Sequence, residues 1–142
     1  EFRRVLFRSS RKSPLFVGGG RVFGPTPRDY SFKLNKKVKR LARVSALSYK
    51  AKENNITVLD SIEMAGIKTK EYATMLNGLA LQNKKTLVVL PESNKNVYLS
   101  SRNLGNSKVV TASDLNTYDI LNAQSLVLVE ASLPIIEKTL AK

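Results

Sequence analysis

The sequence predicts an α/β fold, a three-layer domain with a parallel sheet, preceded by an extended basic arm rich in glycine and proline. Beyond residue 50, short β-branched runs alternate with helical stretches, and that alternation implies parallel pairing through right-handed crossovers. "KTLVVLP" (Lys85–Pro91) is apolar without interruption, as expected of a strand covered on both faces. Before residue 34, three consecutive glycines, Gly24, Pro14, Pro25 and Pro27 forbid a continuous helix and disfavour a regular strand.

The arm, residues 10–33, also carries Leu15, Phe16, Val17, Val22, Phe23 and Tyr30. That is too apolar for an ordinary linker and suits a segment that folds against a partner. Residues 34–142 form the expected globular domain. Its first element is a helix over Leu34–Lys52, where Leu34, Val38, Leu41, Ser45 and Tyr49 recur at spacings of three and four with Ala42 beside them. Lys33, Lys36, Lys37, Lys39, Arg40 and Arg43 fall on the opposite half at 100° per residue. The expectation is that the apolar side packs on the body and the other presents a row of cations.

A strand follows at Asn55–Asp60, then a helix over Thr69–Leu81 with Thr69 as N-cap. After the strand at Lys85–Pro91, Ser93–Leu104 reads as a helix, Ser107–Ala112 as a strand and Asp114–Ala123 as a short helix. Ser125–Glu130 is the last strand. Ser132–Ala141 is a helix with Pro134 in its first turn. There is no internal repeat.

Composition narrows the chemistry. The 142 residues contain no cysteine and no histidine. This removes disulfides, the usual zinc sites, Ser-His-Asp and Cys-His arrangements and an imidazole base. No stretch approaches the roughly eighteen consecutive apolar residues of a membrane span, so the chain reads as soluble. Of the net charge of +13, residues 1–50 carry +12 and residues 51–142 only +1. A basic arm joined to a nearly neutral body points to a polyanionic partner.

"GGGRVFG" invites a phosphate-loop reading that fails: a dinucleotide fingerprint needs glycine where Phe23 stands, and no Lys-Ser or Lys-Thr follows. Glycines that let the backbone approach an RNA surface, with Arg21 and Arg28 on phosphates, fit better. The helical cations have no compensating acids four residues away, so the helix carries its own repulsion. Phe16, Phe23, Tyr30 and Phe32 are available to stack on unpaired bases. Asp60, Glu63, Glu71, Asp114, Asp119 and Glu130 are scattered over different elements, and Asp114 and Asp119 read as helix-end residues. No catalytic constellation, cofactor or metal site is expected, and Ser100, Ser101 and Arg102 read as the exposed end of a helix.

The stretch "SPLFVGGGRVFGPTPRDYSFKLNKKVKRLA" resembles the return arm of the long loop and the first RNA-facing helix of the bacterial-type large-subunit ribosomal protein L-four family. The resemblance continues through "TKEYATMLNGLAL", "VYLSSRNL" and "DLNTYDILNAQSLVLVEASL", from about Ser13 to the C-terminus. It implies a non-enzymatic, cytoplasmic constituent of the large ribosomal subunit, with an α/β domain and a loop that penetrates ribosomal RNA and helps to line the peptide exit tunnel. The implied partners are large-subunit ribosomal RNA, neighbouring large-subunit proteins and, for members that repress their own operon, its messenger RNA. A nucleotide- or metabolite-directed α/β enzyme is the remote alternative.

Carried over by position, the RNA-contacting candidates are Arg11, Lys12, Arg21, Arg28, Lys33, Lys36, Lys37, Arg40 and Arg43, with Lys39 facing the same way and Phe23 and Tyr30 added for stacking. The family also begins with a strand, a helix and an outgoing loop arm that this chain does not match, and usually has a basic residue where Val44 stands. Residues 1–9, "EFRRVLFRS", read codon for codon as GAGTTCAGACGTGTGCTCTTCCGATCT, which resembles a sequencing adapter, and are expected to be an artefact of translation. Without them residues 10–50 still carry +10.

Overall fold

The structure is a computed structural model that describes residues 12–141. Arg11 and the adapter-like residues 1–9 lie outside the described residues. The chain divides into two units, Glu1–Lys33 and Leu34–Lys142. The first has turns but no helix or strand among its described residues.

In the second unit the elements run α1 (Lys36–Lys52), β1 (Ile56–Leu59), α2 (Thr69–Gly78), β2 (Thr86–Leu90), α3 (Lys95–Ser101), β3 (Ser107–Thr111), α4 (Thr117–Asn122), β4 (Ser125–Val129) and, after a 3-10 turn at Glu130–Ser132, α5 (Leu133–Ala141). The four strands form one parallel sheet in the order β1-β4-β2-β3. Each strand in this order needs a crossover, and the helices supply them.

The period-two pattern of the central strands splits the core into two layers. Leu87 and Val89 of β2 and Leu126 and Leu128 of β4 point to one face, where they meet Ala46 of α1, Ile120 of α4 and Ile136 of α5. Val88, Leu90, Val127 and Val129 point to the other and meet Tyr72 and Leu76 of α2 and Val97 of α3. Every residue of β2 and β4 is buried. Covering such side chains on both faces contributes about 1.5–3 kcal/mol each, so these two strands anchor the domain.

Helix α2 ends three residues earlier than its apolar pattern suggests. The Ala80 amide donates to the Asn77 carbonyl and the Leu81 amide to the Leu76 carbonyl, both at 3.0 Å, while Ala80 adopts φ 58°. This is a Schellman cap with alanine in the left-handed position that glycine fills without strain. Its reward is that buried Leu81 joins the same core layer as Leu76. Thr69 is the first helical residue rather than the N-cap: Lys68 holds that position without a side-chain cap. The Lys68 amide instead donates to the Ser100 hydroxyl at 3.0 Å.

Ser100 and Ser101 are accordingly buried, a correction to their reading as an exposed helix end. Small hydroxyls let α3 sit close to its neighbours, and each finds a partner: Ser101 donates to the Tyr98 carbonyl at 2.9 Å. Pro134 lies in the first turn of α5 as expected.

Candidate nucleic-acid interface

In the first unit, the segment from Lys12 to Gly20 closes on itself. The Phe16 amide donates to the Ser13 carbonyl (3.2 Å), Gly19 to Phe16 (2.9 Å) and Gly20 to Lys12 (2.9 Å). Gly18 has φ +81°, and a Cβ on Gly19 would collide with the Ser13 carbonyl. The glycine run is therefore required by a local turn, a role that close approach to RNA does not have to explain. Past the turn, Phe23 is 94% exposed, and Tyr30 and Phe32 are also in solvent. The Arg28 guanidinium lies over the Tyr30 ring, 4.6 Å from its centroid, which presets a cation–π pair. Asp29 accepts from the Ser31 amide at 2.8 Å, and that bond holds its carboxyl below the usual range. Lys12, Arg21, Arg28 and Lys33 are exposed.

In the second unit, α1 carries seven basic and no acidic residues. Its orientation reverses the expectation. Ala46 and Lys50 are buried, Arg40, Arg43 and Leu47 are half-buried, and Ala46 and Leu47 enter the core against α4 and α5. The apolar stripe turns outward: Leu41 is 70% exposed, and Leu34, Val38 and Tyr49 are exposed with it. Ala46 explains the choice of face, since a methyl group lets the helix axis approach the sheet. The methylene stems of Arg43 and Lys50 then cover apolar surface while their charges reach its rim. The Lys50 ammonium lies 3.9 Å from the Glu53 carboxylate.

The expected row of cations is thus divided. Lys36, Lys37 and Lys39 are exposed at the helix start, and Arg40 and Arg43 lie along the body. Val44 is exposed and adds no charge. Asn35 stands at the cap position but makes no side-chain cap bond, and the first turn holds no acid. Three lysines thus meet the positive end of the helix dipole with nothing in the helix to offset them. An anionic partner would offset them, and free amides at a helix start are donors for one.

Two of the body's carboxylates have structural duties. Asp119, buried in the first turn of α4, accepts from the Lys108 ammonium at 2.7 and 2.8 Å and from the Asn116 carboxamide at 2.9 Å. Asp114 accepts from the Thr111 hydroxyl at 2.7 Å. Among the described residues no group of three or more acids is placed to hold a metal ion, and no helix is long and apolar enough to cross a membrane.

Comparison with known proteins matches residues 8–139 to the model of the "Ribosomal protein L4/L1 family". The chain is 62% identical over 133 residues to the large ribosomal subunit protein uL4 of Flavobacterium johnsoniae, covering 94% of this chain and 64% of that protein. It is 59% identical over 131 residues to uL4 of Parabacteroides distasonis, covering 92% and 63%. With uL4 of Phocaeicola vulgatus it shares 57% over 134 residues, covering 94% and 64%. The chain thus spans a little under two thirds of the length of these curated relatives.

Proposed function

The chain belongs to the ribosomal protein L4/L1 family, and on that premise we propose that it is a non-catalytic, structural constituent of the large ribosomal subunit in the bacterial cytoplasm. It binds large-subunit ribosomal RNA and sits among neighbouring large-subunit proteins. The RNA contacts are Arg11, Lys12, Arg21, Arg28 and Lys33 of the arm, with Phe23 and Tyr30 stacking, and Lys36, Lys37, Lys39, Arg40 and Arg43 of α1. The observation that supports this most directly is the start of α1, where exposed lysines crowd an uncapped, acid-free helix end. Such an arrangement works against the stability of the free protein and suits one that spends its life against phosphates. Specificity comes from the shape of folded RNA, because side chains cannot read the deep A-form major groove.

The test is sedimentation of the chain with large subunits over a salt series. If six to ten phosphates are neutralised, affinity falls by roughly a thousandfold or more between 50 and 200 mM salt. A chain that stays in the supernatant at low salt overturns the reading. The same cations would serve to bind the message of the protein's own operon, the regulatory alternative. A gel shift on the operon leader that ribosomal RNA competes away supports that second role, and no shift removes it.

A further inference from the structure

The two ends of the sheet differ in chemistry. At the carboxyl ends of the strands, a cleft of about 600 Å³ is lined by Asp60, Glu63 and Glu92 against the single cation Lys95. At the amino ends, a cleft of about 430 Å³ opens between the end of α2 and the loops entering β2 and β3, within the range of small-ligand sites. Leu76 and Leu104 form its apolar wall, and Asn77, Gln82, Asn83, Lys84 and Asn106 its rim. No carboxylate lines it. The four rim carboxamides make no side-chain hydrogen bond among the described residues. A second cleft of about 190 Å³ continues from it across Thr86, Gly105, Asn106 and Ser107 to Lys85 and Lys108, and the one acid there, Asp119, is held by the Lys108 ammonium.

We propose that this amino-end cleft is a second RNA contact that receives one unpaired base, with the Gln82, Asn83 and Asn106 carboxamides on the base edge and Lys84 and Lys85 on the flanking phosphates. The inference rests on the ribosomal RNA-binding reading and extends it from the arm and the start of α1 to the amino end of the sheet. Uncommitted carboxamides offer a donor and an acceptor side by side, the pattern that pairs with adenine through two bonds. The apolar wall shelters the base, which only an unstacked nucleotide can present. The cleft at the carboxyl ends, lined by three carboxylates, repels a phosphodiester chain.

The experiment measures binding of the chain and of a Gln82→Ala/Asn83→Ala double variant to large-subunit ribosomal RNA across salt. It is repeated with the hexanucleotides A6 and U6. Both replaced residues are exposed, so the variant keeps its fold, which its melting curve checks. The expected result is an affinity loss of about tenfold, within the roughly 5- to 150-fold range of one lost two-bond base contact. The dependence on salt should stay unchanged, A6 should be preferred to U6, and the side-chain amide resonances of Gln82 and Asn83 should shift on adding A6. A double variant that binds like the parent overturns the cleft while leaving the ribosomal RNA reading in place. A double variant with a shallower salt dependence also overturns it, since the loss would then be one of charge. A parent chain that binds no ribosomal RNA brings down both.

Discussion

Helices α3 and α4 each begin at an asparagine whose side chain accepts from the first turn: Asn94 from the amides of Asn96 and Val97, and Asn116 from that of Asp119. Helix α1 also begins at an asparagine, yet Asn35 makes no such bond, and Lys36, Lys37 and Lys39 follow it. The short helices, of seven and six residues, cannot persist on propagation alone and are pinned by their caps. The 17-residue α1 has length to spare and tolerates an unfavourable start. The contrast separates helix ends that serve the fold from one that serves a partner.

The largest expected effect breaks this contrast at α1. Replacing Lys36, Lys37 and Lys39 together by Gln should weaken ribosomal RNA binding by well over tenfold at moderate salt and lower the salt slope by about 2–3. The melting temperature should rise, because like charges leave the positive helix end. A triple variant with unchanged binding would mean that the start of α1 faces no phosphate. Next, Asn116→Ala should destabilise the domain by about 1–2 kcal/mol, since its side chain both caps α4 and donates to Asp119. Denaturant melts check this, and RNA binding of the folded variant should not change.

The smallest effect distinguishes the interior by pH. Tyr72 of α2 is fully buried and hydrogen-bonded to Ser107, and burial pushes its phenol above the ordinary value of 10.0. The folded state holds that proton more tightly than the unfolded one. Stability is therefore intact below about pH 10 and declines as pH rises from there toward the folded value. Melts at rising alkaline pH should show the decline, and Tyr72→Phe should flatten it.

Much of this was legible in the sequence. The apolar run of β2, the β-branched stretch of β4 and the alternation of strands with helices specified a parallel, three-layer domain, because covering both faces of a strand leaves little freedom in its residues. The orientation of α1 was not legible. Its most regular apolar stripe, Val38, Leu41, Ser45 and Tyr49, competes with a face of Ala46, Leu47 and basic stems. Periodicity counts apolar side chains but does not weigh how closely a small one lets two elements approach. The burial of Ser100 was missed for a similar reason: serine at a helix end reads as solvated until the amide it satisfies, that of Lys68, is seen to be 32 residues away. The candidate cations were readable as a charge run, whereas the amino-end cleft gathers residues from the end of α2 and two separate loops and left no pattern in the chain.

The strand order also has a consequence in time. Among the described residues, strand β1 is bordered in the sheet by β4 alone, and β4 is the last of these four strands to be made. Seventy residues separate Leu59 from Val129, a delay of roughly 4–14 seconds at about 5–20 residues per second. Through that interval the emerging chain already displays the lysines of α1, while the sheet on which α1 packs still lacks β4, the strand that joins β1 to β2.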